Sequence, residues 1–105
     1  MKEIKAYIHR NRIADVVYAL ERDGFRNLAL VDVKGMARAL SEKEQEFSIE
    51  VAERVITEVK LELVCDDAKA ARAINTIREN ARTGHKNAGW IYVSEITAAQ
   101  PIDGE

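Results

Sequence analysis

The chain has 105 residues, 47% hydrophobic and 32% charged, which is the size and make-up of one globular domain and excludes a disordered polymer. Its 16 basic and 18 acidic residues leave a formal charge of -2, and no block of Lys/Arg longer than two residues could track a phosphate backbone, so no nucleic-acid partner is expected. No stretch reaches the roughly 20 apolar residues that cross a bilayer, MKEIKAYIHR lacks the apolar core of a signal peptide, and Cys65 has no second cysteine to pair with. The expectation is a cytoplasmic protein without direct membrane insertion. A domain this small buries about two-thirds or less of its surface, so association through a shared face would add stability.

Residues 3 to 9 alternate, Ile4, Ala6 and Ile8 on one face and Lys5, Tyr7 and His9 on the other, the period of a half-buried strand. After Asn11, the expected N-cap, Ile13, Val16, Val17 and Leu20 recur at helical spacing, and Gly24 supplies the left-handed residue that stops the helix. A second strand is predicted through Leu28, Leu30, Val31 and Val33 to Gly35. A third runs from about Val55 through Val59, Leu61 and Leu63 to Val64, with a polar segment between them. Asp66 and Asp67 are the expected caps of a second helix with core positions Ala70, Ala73, Ile74, Ile77 and Ala81, ending at Gly84. A last strand is predicted from Trp90 to Val93 or a little beyond, before a tail that holds the only proline, Pro101.

Two strand-helix-strand halves of similar length predict an α+β, ferredoxin-like βαββαβ domain over residues 1–105: a four-stranded antiparallel sheet with two helices on one face. Residues 36–57 form its long exposed loop and 95–105 its C-terminal tail. In this topology His9, Gly35 to Leu40, Glu58 and Arg82 to Trp90 share one sheet edge. The face without helices carries Tyr7, Lys60, Glu62, Val64 and Tyr92, a mixture of aromatic, aliphatic and paired charge that suits an oligomer interface.

At VKGMARA (33 to 39), TEVKLELV (57 to 64) and ARTGHKNAG (81 to 89) the sequence resembles the PII signal-transduction family, over essentially the whole chain and without a gap. The family's strand-end glycine and following arginine fall on Gly35 and Arg38, its phosphate-loop start on Ala81 to Gly84, and a later glycine on Gly89. The resemblance implies a non-enzymatic regulator assembled as a homotrimer, with lateral clefts between copies that bind adenine nucleotides and 2-oxoglutarate. Its long loop would dock on a protein target, a membrane transporter or an enzyme. The nucleotide positions it implies are Gly35, Met36, Ala37, Arg38, Val64, Arg82, Thr83, Gly84, Lys86 and Gly89.

The departures from the family pattern are concentrated in the same cleft. Asn87 and Ala88 stand where the family has a glycine-aspartate pair, Trp90 where it has a phosphate-binding lysine, Glu58 where it has a second lysine, and Pro101 and Asp103 where tail arginines close over the nucleotide. Because charge-assisted contacts are roughly twice as strong as neutral ones, loss of these cations should abolish tight triphosphate binding and leave AMP or ADP as the candidate effector. Val51 occupies the position of the tyrosine that many relatives carry for uridylylation, and Ala39 that of the glutamine associated with 2-oxoglutarate and magnesium, so neither response is expected. Ser48 reads as an exposed loop residue. Glu42, Glu44, Glu46, Glu50 and Glu53 make the loop acidic, and its lack of glycine or proline lets it turn helical when a partner holds it.

An alternative reading is a trimeric transition-metal protein for sensing or tolerance, with the divalent-cation tolerance family as precedent on the same architecture. The only two histidines, His9 and His85, are expected at one sheet edge with Glu58, a donor set that suits zinc, copper or nickel. No close HxH or HxxxH pair supports it. Cys65 reads as a packed side chain, and no Gly-x-Ser-x-Gly elbow or P-loop is present, so no enzyme is assigned. Trp90 reads either as a plug of the nucleotide cleft or as a stacking platform; in the first case the protein would be a scaffold acting only through protein contacts. Whole-chain resemblance favours the regulator.

Overall fold

A computed structural model describes residues 1–32, 58–84 and 89–104. In chain order they form strand β1 (Lys2–His9), a single 3-10 turn (Arg10–Arg12), helix α1 (Ile13–Arg22), strand β2 (Leu28–Asp32), strand β3 (Glu58–Cys65), helix α2 (Asp67–Ala81) and strand β4 (Gly89–Glu95). The four strands lie in the order β2-β3-β1-β4, and each neighbouring pair is antiparallel. This is the ferredoxin-like arrangement the sequence predicts. The residues that the sequence adds to β2 and β3, 33 to 35 and 55 to 57, lie outside the described residues, as does the long loop.

Period-2 alternation in β1 and β3 becomes strict alternation of burial. Ile4, Ala6, Ile8, Leu61 and Leu63 are buried and pack with Val16 and Leu20 of α1 and with Ala70, Ala73 and Ile77 of α2. Both helices therefore cover the same sheet face. Each large side chain removed from water there contributes roughly 1.5–3 kcal/mol. The small α2 positions let that helix lie close to the sheet, leaving its polar residues outward.

Helix α1 ends in a Schellman motif. Gly24, at φ 94°, donates its N–H to the Glu21 carbonyl at 3.0 Å, and Phe25 donates to the Leu20 carbonyl at 2.9 Å. Phe25 turns back into the core, and the Arg72 guanidinium lies 5.5 Å from its ring centroid. The Thr76 hydroxyl, in a buried position on α2, donates to Asp23 at 2.6 Å and so ties the end of α1 to the neighbouring helix.

The expected caps fail for a tertiary reason. Asn11 falls inside the 3-10 turn, where its N–H donates to His9 Nδ1 at 3.2 Å, and α1 starts after Arg12 without a side-chain cap. The histidine that ends β1 thus does the capping. Asp66 precedes α2 but its side chain makes no cap bond, and the Asp67 carboxylate instead pairs with the terminal amine of Met1 at 2.6 Å. That pair lowers the Asp67 carboxyl pKa and raises that of the amine. At the other end α2 stops because Arg82 turns extended, φ -65° and ψ 134°, two residues before Gly84 at φ 83°.

Two outcomes test this frame. The Thr76 hydroxyl bond holds the Asp23 carboxyl below its ordinary range, so its charge-dependent contribution is present above the unfolded pKa of roughly 3.9 and is lost as pH falls through the folded value. Thr76→Val should therefore melt about 4 °C below wild type at pH 7, with the gap narrowing below pH ~4; a gap independent of pH would contradict the assignment. Gly89 opens β4 at φ 134°, and a Cβ there would lie 2.1 Å from the Tyr7 carbonyl oxygen. Gly89→Ala should cost about 1–3 kcal/mol in urea unfolding, and an unchanged midpoint would show that β4 can shift without penalty.

Candidate functional site

The end of β1 organises one edge of the sheet. His9 lies opposite Glu58, the first residue of β3, and Ile8 lies opposite Gly89, the first residue of β4. One residue further on, Arg10 reaches the last residue of β2: its guanidinium donates to the two Asp32 carboxylate oxygens at 2.7 and 3.4 Å. Two consecutive residues of β1 and its turn thus touch both stems of the long loop, Asp32 on one side and Glu58 on the other. The Arg10–Asp32 fork has no period or motif behind it, and sequence reading passes over it.

Beside this edge, α2 returns across the sheet and ends against β4. A cavity of about 320 Å³ lies there, lined among others by Arg78 of the last turn of α2, by Arg82 just after it, by Tyr7 and by Gly89, Trp90 and Ile91. Two of the expected nucleotide positions, Arg82 and Gly89, are therefore brought to one cavity. Arg78 is a lining residue that the sequence reading does not single out. Trp90 stands opposite Tyr7 on the sheet and is 63% exposed, so within one protomer it plugs nothing.

Other expected positions fall elsewhere. Val64 lies opposite Glu3, toward the far end of β3, whereas Gly89 lies opposite Ile8; the two mark opposite ends of one sheet. Val64 instead lines a second cavity of about 370 Å³ with Arg26, Cys65, Lys69 and Arg72. Burial raises the Cys65 thiol pKa, as suits a packed side chain and not a nucleophile. Thr83 and Gly84 follow α2 at the site edge. Gly35, Met36, Ala37, Arg38, His85 and Lys86 lie outside the described residues, as do Asn87 and Ala88. Of the metal trio only His9 and Glu58 are described, and His9 already uses Nδ1 to accept from Asn11. Among the described residues no group of three or more His, Cys, Asp or Glu side chains is arranged to hold a metal.

The open sheet face carries Tyr7 and Tyr92 edge to face, with ring centroids 6.1 Å apart and planes at 84°. Around them lie the Lys60–Glu62 and Lys5–Glu3 ion pairs at 3.0 and 3.2 Å and the exposed side chains of Val31, Val64 and Trp90. The Lys and Glu side chains here are paired within the face, and among the described residues Val31, Val64, Trp90 and Tyr92 are left exposed. No helix of the described residues is long and apolar enough to cross a membrane.

Comparison with known proteins agrees with this geometry. The family model of the nitrogen regulatory protein P-II matches residues 1–105. Nitrogen regulatory protein P-II 1 of Methanothermobacter thermautotrophicus is 33% identical over 96 residues, covering 91% of this chain and 84% of its own. The nitrogen regulatory protein P-II of Bradyrhizobium diazoefficiens is 33% identical over 99 residues, with 94% and 88% covered, and that of Pyropia yezoensis is 28% identical over 96 residues, with 91% and 86% covered. Neither the family nor these relatives support the metal-binding alternative. The chain belongs to the P-II family of nitrogen regulatory proteins and is a PII-like regulatory, signal-transducing protein.

Proposed function

We propose that this regulator works as a homotrimer that senses an adenine mono- or diphosphate in clefts between copies and passes the signal to a transporter or enzyme through its long loop. The observation that carries the reading is the placement of Val64 and of the Arg82–Gly89 pair at opposite ends of one sheet. Positions that the family resemblance assigns to a single ligand cannot meet within one protomer, so the site must be completed by a second copy. The uncovered face with Tyr7, Tyr92 and Trp90 supplies a surface through which copies can meet.

The effector class follows from the charges. Arg82 has no ion-pair partner among the described residues and lines a cavity with Gly89, which suits a phosphate. Glu58 and Asp103, acids at two positions where the family has cations, disfavour a third phosphate. The acidic loop fits a target surface rich in Lys or Arg, and the single unpaired cysteine accords with action in the cytoplasm.

Titration calorimetry with AMP, ADP and ATP tests the reading. AMP or ADP should bind, ATP should bind no more tightly than ADP, and Arg82→Ala should weaken the complex about tenfold or more. Absence of heat with all three nucleotides would remove the nucleotide as effector.

A further inference from the structure

Seven of the eleven described Lys and Arg side chains have a partner. Lys2 pairs with Glu95, Lys5 with Glu3, Arg10 with Asp32, Arg12 with Asp15, Arg22 with Asp23 and Lys60 with Glu62, while Arg72 donates to the Asp23 carbonyl. Arg26, Lys69, Arg78 and Arg82 are the described cations whose side chains make no hydrogen bond or ion pair. Arg78, in the last turn of α2, and Arg82, the extended residue that ends it, line the same cavity between that helix and β4.

The two like charges lie at the end of α2, and neither is offset by an acid among the described residues. Glu79 is next to Arg78 in sequence but forms no ion pair, and Arg12 nearby is already satisfied by Asp15 at 3.0 Å and by the Asn80 carbonyl at 3.0 Å. An anion between the two guanidiniums would relieve their repulsion and accept several charge-assisted bonds, an arrangement arginine forms readily with phosphate because its donors lie in a planar fork. The cavity, at about 320 Å³, stands at the small end of ligand sites.

We infer that Arg78 is the second phosphate ligand of this cavity, acting with Arg82 on a small aromatic molecule that carries one or two phosphates. The inference rests on the nucleotide reading of the same site and adds to it a residue and a limit on ligand size.

Calorimetry on the full chain with ADP, pyrophosphate and adenosine, for wild type and Arg78→Gln, is the test. Glutamine has a helix propensity close to that of arginine and position 78 is exposed, so the variant should fold, which circular dichroism checks. The expected result is a loss of about tenfold or more for ADP and pyrophosphate in Arg78→Gln, with adenosine unchanged. Equal ADP affinity in wild type and Arg78→Gln, with Arg82→Ala still impaired, would overturn the role of Arg78 and leave the nucleotide reading standing. Equal losses for ADP and adenosine would mark Arg78 as a packing residue and also overturn it. A wild type silent to ADP and pyrophosphate would overturn both.

Discussion

The pairing of β1 along both of its sides is the constraint from which the remaining structure follows. Every residue from Lys2 to His9 has a partner on β3, and those from Lys2 to Ile8 also have one on β4. Because side chains alternate between faces, a slip of one residue would carry Ile4, Ala6 and Ile8 out of the helix-covered core and put Lys5 and Tyr7 into it. Gly89 fixes the same register from the other strand, since its backbone approaches the Tyr7 carbonyl more closely than any side chain allows. With β1 fixed, the stems of the long loop, the end of α2 and the start of β4 all arrive at the end of one strand, and the functional edge is a by-product of that convergence.

The sheet consequently has two ends of different character. Its β1-terminal end holds Arg10, Asp32, Glu58 and Gly89 with the closing turn of α2, and the other end gathers Arg26, Val64, Cys65 and Lys69 around a separate cavity. Under the proposed function each end would supply half of a ligand site, and a closed ring would let one copy's end meet its neighbour's. The open face fits such a role, because its Lys and Glu side chains are paired laterally and, among the described residues, Trp90 and Tyr92 are left exposed.

Periodicity made the fold legible in the sequence. Ile4, Ala6 and Ile8, the Ile13 to Leu20 stripe and the Ala70 to Ile77 stripe each report which side of an element is dry. What the sequence hid were choices made by tertiary contacts. Asp67 has the chemistry of a cap but meets the terminal amine. At the site, Gly89 reads as a phosphate-loop glycine, and the structure adds a packing reason for it. Arg78 drew no notice in the sequence, since only the cavity shows that it and Arg82 line one space. That Val64 and Gly89 lie apart could not be read from a motif, which orders residues along the chain and says nothing about which copy supplies them.

Light scattering on the purified full chain measures directly whether the open face joins copies of this protein. A particle of three protomers of 11.8 kDa is predicted, reduced toward the protomer mass when Tyr92 on that face is replaced by aspartate. A mass of 11.8 kDa for the wild type at concentrations well above micromolar would contradict it.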